Sequence, residues 1–248
     1  GEGCSPVFHN GKLIVVRDHQ GQSTIEALSA SSGNTLWKKP RDEGNAWATP
    51  VVAEYDGTTQ VITAASNFVR SYDLKDGSLI WQCSGLTGNA TPCPVLDGKH
   101  VIVMSGYKGH SVMRIPITHT GDISEMDKVV WKQTRGTPYV PSPVLYENML
   151  FYNQSNQGIW TVLNATTGEV VMDRTRLPGI ANMYSSPVAA NGHVYVTGRA
   201  GTTLVLKPES TLSVVSSNSL DERFDSSPAI AGDELYLRGE RFLYCIAK

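Results

Sequence analysis

Arginines and aromatic side chains are the residues of this sequence whose types and placement point most clearly to chemistry. Arg17, Arg135, Arg199, Arg223 and Arg238 sit at the ends of apolar runs or in the turns between them, and Trp47, Tyr107 and Tyr139 occupy comparable places. A guanidinium offers a planar fork of donors that matches a carboxylate or phosphate. Arginine mixed with aromatics is also the composition of binding hot spots. Signs of catalysis are sparser. The six histidines show no HxxxH or HExxH spacing, and "GHS" at 109–111 lacks the strand–elbow–helix setting of a nucleophilic serine. Only "RDH" at 17–19, with His110 in a comparable loop, offers an acid–base grouping. Cys4, Cys83, Cys93 and Cys245 have no CxxC spacing, which argues against a structural zinc site and for ordinary buried thiols. The chemistry on offer is recognition.

Bulk composition agrees. The 248 residues are 40% hydrophobic and 18% charged with a formal net charge of −2, an ordinary balance with no pull toward nucleic acid. No apolar run is long enough to span a bilayer, and no signal peptide is visible at the start.

The elements that position the arginines emerge from a repeat. A small residue, a proline and two apolar residues recur as "SPVF", "TPVV", "CPVL", "SPVL", "SPVA" and "SPAI", in units starting near 5, 49, 93, 142, 186 and 227. The prolines stand at 6, 50, 94, 143, 187 and 228. After each comes a tight-turn signal such as "NGK", "DGK" or "NGH", then a β-branched or aromatic run, then a third run. Several units close with a glycine turn and Trp37 or Trp81; the fourth has Met172 in that place, and the third reaches Trp131 by a longer path. Short antiparallel strands at a period of 41–49 residues, four to a period, predict an all-β protein of four-stranded propeller blades with six repeats, all of 1–248 forming one domain. Proline lacks the N–H that a central strand needs, so it is expected at the first position of each innermost strand, where it fixes φ and directs the chain inward. The tryptophans are expected to wedge between neighbouring blades. The last unit ends at "FLYCIAK" on a third strand, so the chain is expected to lack upstream sequence, as part of a seven- or eight-bladed propeller.

Strand order then sorts the loops. Those joining strand two to three, and strand four to the next strand one, share a face that collects most of the arginine, with Arg41, Asp18 and Glu43 also counted on it. The opposite loops collect Asp, Glu and four lysines but no arginine. The acidic side follows from turn preference, since Asp and Asn favour such turns. Arginine has no turn preference, so Arg17, Trp47, Tyr107, Arg135, Tyr139, Arg199, Arg223 and Arg238 are the expected binding surface.

The segments "ALSASSGNTLW", "SYDLKDGSLIW" and "VLNATTGEVVM" resemble the repeat of pyrroloquinoline-quinone-type β-propellers. Joined to "SPV…NGxxV", they are similar to BamB-like outer-membrane assembly-factor propellers and closer still to uncharacterised planctomycete-type quinone-like repeat proteins. The resemblance implies an exported or periplasmic, non-enzymatic scaffold with no cofactor, binding a protein segment or a small anionic ligand in envelope protein assembly. The alternative it implies is a pyrroloquinoline-quinone (PQQ)- and calcium-dependent oxidoreductase whose site lies partly outside this chain. Those dehydrogenases carry adjacent cysteines, an acidic base and calcium ligands, and no two cysteines here are adjacent.

Overall fold

All six prolines of the repeat stand one residue before a strand in the computed structural model, which describes residues 3–247. Expected as the first strand residue, proline is instead the last residue of the approach, so no ladder position loses its N–H. The first sheet is β1 (Val7–His9), β2 (Lys12–Arg17), β3 (Ser23–Ser29) and β4 (Thr35–Arg41). The second is β5 (Val51–Tyr55), β6 (Thr58–Ala64), β7 (Val69–Asp73) and β8 (Leu79–Cys83). The third holds β9 (Val95–Asp97), β10 (His100–Ser105), β11 (Ser111–Pro116) and, beyond β12 (Gly121–Asp122) and a 3-10 turn, β13 (Trp131–Gln133). β14 (Val144–Tyr146), β15 (Met149–Asn153), β16 (Ile159–Asn164) and β17 (Val170–Arg176) make the fourth. β18 (Val188–Ala190), β19 (His193–Thr197), β20 (Thr202–Leu206) and β21 (Val214–Ser219) make the fifth, and β22 (Ala229–Ala231), β23 (Glu234–Arg238) and β24 (Leu243–Ile246) the sixth.

Strands within a sheet pair antiparallel in chain order, and the sheets are the blades of a β-propeller. The chain divides into two compact units after Arg135, with three sheets in each. The long third repeat has a cause: β12 leaves its own sheet and pairs parallel with β8, giving the second sheet a fifth strand.

Register ties the two ends of each repeat together. Val7 pairs with Ile14, Ile14 with Ala27 and Ala27 with Trp37; the row Val51–Ile62–Ser71–Trp81 repeats it, as does Val144–Phe151–Val162–Met172. The residue after the proline thus starts a row that the Trp or Met completes on the outer strand. Trp37 Nε1 donates to the Leu74 carbonyl of the following sheet at 3.0 Å, and its ring packs with Val61, Tyr72 and Leu74. Met172 packs with Val194, Leu204 and Leu206 of the next sheet. The core of each unit lies between sheets.

The residue before the proline joins neighbouring blades near their innermost strands. Ser5 N–H donates to Thr49 Oγ1 at 3.1 Å, Ser142 N–H to Ser186 Oγ at 2.9 Å, and Ser186 N–H to Ser227 Oγ at 2.9 Å. Each hydroxyl satisfies an amide that lies outside any strand ladder.

Between the first two sheets the molecule buries charge. Both Asp18 oxygens accept from Arg41, at 2.7 and 2.9 Å, and Arg41 Nη1 also donates to Thr63 Oγ1 and Tyr72 Oη. Neither side chain of the pair is more than 2% exposed. Beside it Glu43 accepts from Arg70 and from the Asn67 and Phe68 amides. Asp18, Arg41 and Glu43, counted from sequence as solvent-facing charges, are therefore interior. Burial raises the Tyr72 hydroxyl above its ordinary range. Asp18→Ala strands the Arg41 charge and is expected to cost about 3–5 kcal/mol in urea unfolding. An Asp18→Leu/Arg41→Met double variant should be more stable than that single variant; equal losses would refute the pairing.

Candidate functional site

The second unit brings three of the expected arginines together. Arg199 lies in the turn after β19, Arg223 in the segment between β21 and β22, and Arg238 at the end of β23. Two of them gather for a reason local to "ERFDSSP", where Asp225 sits between the Arg199 and Arg223 guanidiniums; Arg238 lines a groove with Arg223. Arg223 Nε and Nη2 donate to Asp225 Oδ2 at 3.1 and 2.8 Å, and Arg199 Nη2 donates to the same oxygen at 3.2 Å. Arg199 Nε lies 2.7 Å from Oδ1 but off its N–H line, so that contact is an ion pair without a hydrogen bond. The Arg199 guanidinium stacks over the Tyr184 ring at 4.2 Å, an orientation favoured by the ring's negative face.

The backbone holds these loops in series. Arg199 N–H donates to Asn182 O, Phe224 N–H to Arg199 O, and Glu240 N–H to Arg223 O, at 2.9, 3.1 and 3.0 Å. Beneath them lies Glu222, whose side chain is 1% exposed. It accepts from the Arg241 amide at 2.8 Å and from Tyr244 Oη at 2.9 Å. Glu43 does the same work in the first unit, where it caps two amides of the β6–β7 turn. Two adjoining grooves open here. One of about 540 Å³ is lined by Ile180, Asn182, Arg199, Arg223, Glu240 and Arg241 among others. The other, about 320 Å³, is lined by Arg223, Asp225, Ser226, Arg238, Gly239 and Glu240.

The remaining expected residues take separate places. Arg17 Nη2 lies 3.0 Å from Glu26 Oε1, with Lys38 on the same carboxylate, so it is held within its own sheet. Trp47 is half-buried and its N–H donates to Ala90 O. Tyr107 is 47% exposed with Lys108 Nζ 5.9 Å from its ring. Arg135 is exposed at the end of the first unit. Tyr139, in the second unit, is half-buried and donates its N–H to Ser155 O. Phe224, an aromatic of the same loops, is buried against Tyr244. The "RDH" grouping is not an acid–base site: Asp18 is bound to Arg41, and His19 Nδ1 accepts from Gly21 N–H. Asp225 and Glu222 are the residues whose roles the sequence did not disclose. Their signal was positional, since Glu222 precedes its repeat proline by six residues and Glu43 by seven.

Among the described residues no group of three or more His, Cys, Asp or Glu side chains is arranged to hold a metal ion, and no two cysteines are adjacent in sequence.

Both site carboxylates titrate low. For Asp225, burial works upward, but hydrogen bonds and charge from Arg199 and Arg223 prevail and hold it below its ordinary 3.8. For Glu222, burial is likewise outweighed by the Arg241 amide, Tyr244 and the Arg241 charge, leaving it below 4.5. A depressed carboxylate stabilises the fold fully above its ordinary value and loses that contribution as pH falls through its lower folded value. The loops are therefore expected to keep their amide chemical shifts from pH 8 to pH 5 and to loosen below about pH 4. Glu222→Gln should flatten the part of that transition seen at Arg241; an unchanged profile would refute the assignment.

Residues 1–173 match the sequence model of the family described as "Outer membrane protein assembly factor BamB". Among curated proteins none matches the sequence. Among solved structures, BamB from Moraxella catarrhalis aligns with a TM-score of 0.56 at 13% identity, covering 99% of this chain and 83% of that one. The computationally designed Ika8 protein aligns at 0.69 and 11% identity, covering 99% and 70%. Quinohemoprotein alcohol dehydrogenase from Comamonas testosteroni aligns at 0.63 and 13% identity, over 89% of this chain but 43% of the enzyme. At such identities the likeness is one of fold.

Proposed function

The chain belongs to the BamB-type family of propellers, and from that premise we propose that it is a non-catalytic binding module of the cell envelope. In this reading it presents the arginine cluster of its second unit to a carboxylate-bearing segment of a partner protein. The observation that carries the reading is the convergence of Arg199, Arg223 and Arg238 on one hydrogen-bonded set of loops, with Tyr184 beneath Arg199. Guanidiniums pre-placed by ion pairing and stacking lose little side-chain freedom when a carboxylate arrives. The description of the matched family as an assembly factor for outer-membrane proteins supports a protein ligand and an envelope location. No helix among the described residues is long and apolar enough to cross a membrane. The quinone-dehydrogenase alternative has only the shared fold in its favour, and fold alone does not carry function.

A fluorescent octapeptide alternating Glu and Val tests the reading by anisotropy. It is expected to bind saturably, to weaken as salt rises, and to lose about tenfold in affinity on the Arg199→Gln/Arg223→Gln double change. Equal binding of the matching Lys–Val peptide, or an unchanged affinity in the double variant, would overturn it.

A further inference from the structure

The smaller groove contains two opposite charges that nothing in the protein uses. Arg199 and Arg223 are both committed to Asp225. Arg238 and Glu240 line the same groove of about 320 Å³, both exposed, and among the described residues neither side chain has an ion pair or hydrogen bond, with each other or with a third group. They are two residues apart across Gly239, in a turn tied down by backbone hydrogen bonds. Gly239 is buried, and a Cβ there would stand 2.2 Å from Glu222 Cγ. Its N–H donates to Phe242 O, Glu240 N–H to Arg223 O, and Arg241 N–H to Glu222. Ser226 Oγ closes the remaining side by donating to Arg238 O at 3.0 Å. The fixed backbone thus places a cationic and an anionic side chain on the lining of one small groove.

We propose that this groove binds a small zwitterion, an amino acid or dipeptide whose carboxylate meets Arg238 and whose ammonium meets Glu240. The proposal goes beyond the binding reading above: it gives the smaller groove a small ligand of its own, beside the arginine pair that would meet a partner protein. A simple anion would gain Arg238 but face the Glu240 carboxylate, and a simple cation would face the arginines. Each exposed pair alone is weak because water and salt screen it. Two pairs made by one molecule reinforce each other, because the second forms within an already bound complex. The cavity volume is at the lower end of small-molecule sites and suits a ligand of this size.

Titration of the whole chain with glycylglycine, N-acetylglycine and glycinamide, followed by amide chemical shifts at Ser226, Gly239 and Arg241, tests it. Glycylglycine should shift these amides saturably, and each blocked probe should bind at least about tenfold more weakly. Arg238→Gln and Glu240→Gln, both at exposed positions, should each bring the glycylglycine affinity down by a similar factor. N-acetylglycine binding as tightly as glycylglycine, or no saturable shift at tens of millimolar, would overturn the proposal. If the acidic octapeptide still binds through Arg199 and Arg223 in that case, only the zwitterion assignment falls. If neither binds, the parent reading falls with it.

Discussion

The hydrogen bond from one blade's Ser N–H to the next blade's Ser or Thr hydroxyl is the contact on which the arrangement depends. The residue before each proline lies ahead of the strand, so its amide has no ladder partner and must be satisfied elsewhere. In the second unit the link runs from Ser142 to Ser186 and on to Ser227. There it sets where one innermost strand begins relative to the next. The register rows then carry this placement outward to Trp37, Trp81 or Met172, whose bulk fills the space between sheets. The residue before the proline therefore makes the inner joint, and the row begun by the residue after it makes the outer one.

The charged site depends on that joint. Ser227 follows Arg223, Asp225 and Ser226 directly, so the hydroxyl that anchors the sixth sheet also ends the segment carrying the ion pairs. Glu222 fastens this segment to the β23–β24 turn from below, and the Glu240 amide fastens it to the Arg223 carbonyl from above. Arg199 reaches Asp225 from the preceding sheet. Charges that would wander on a free loop are thus held by backbone contacts that cost little further ordering.

Much of this was legible in the sequence because the repeat uses local chemistry. Asn10–Gly11, Asp56–Gly57 and Asn191–Gly192 all take positive φ at both positions, as the turn signals required, and Glu147–Asn148 does so without a glycine. What was hidden depended on contacts between sheets. Asp18 and Arg41 look like surface charges in a list of loop residues; only their meeting across the first two sheets, with Thr63 and Tyr72, makes them interior. Arg17 lies on the expected loop but turns back onto Glu26, which its own sheet places in reach. The two-residue strand β12 has too little sequence to announce a parallel pairing with β8. Arg199 and Arg223 meet on an acidic organiser, Asp225, whose importance no composition argument could rank above that of any other loop aspartate.

Amide hydrogen exchange at Ser142 and Ser186 tests the central claim most directly. The account predicts that both amides, although outside every strand, exchange slowly and that Ser227→Ala speeds exchange at Ser186 while leaving the β15–β16 amides protected. Exchange of both at the rate of open turn amides in the unaltered protein would contradict it, because the blades would then be positioned by something other than the serine–hydroxyl joint.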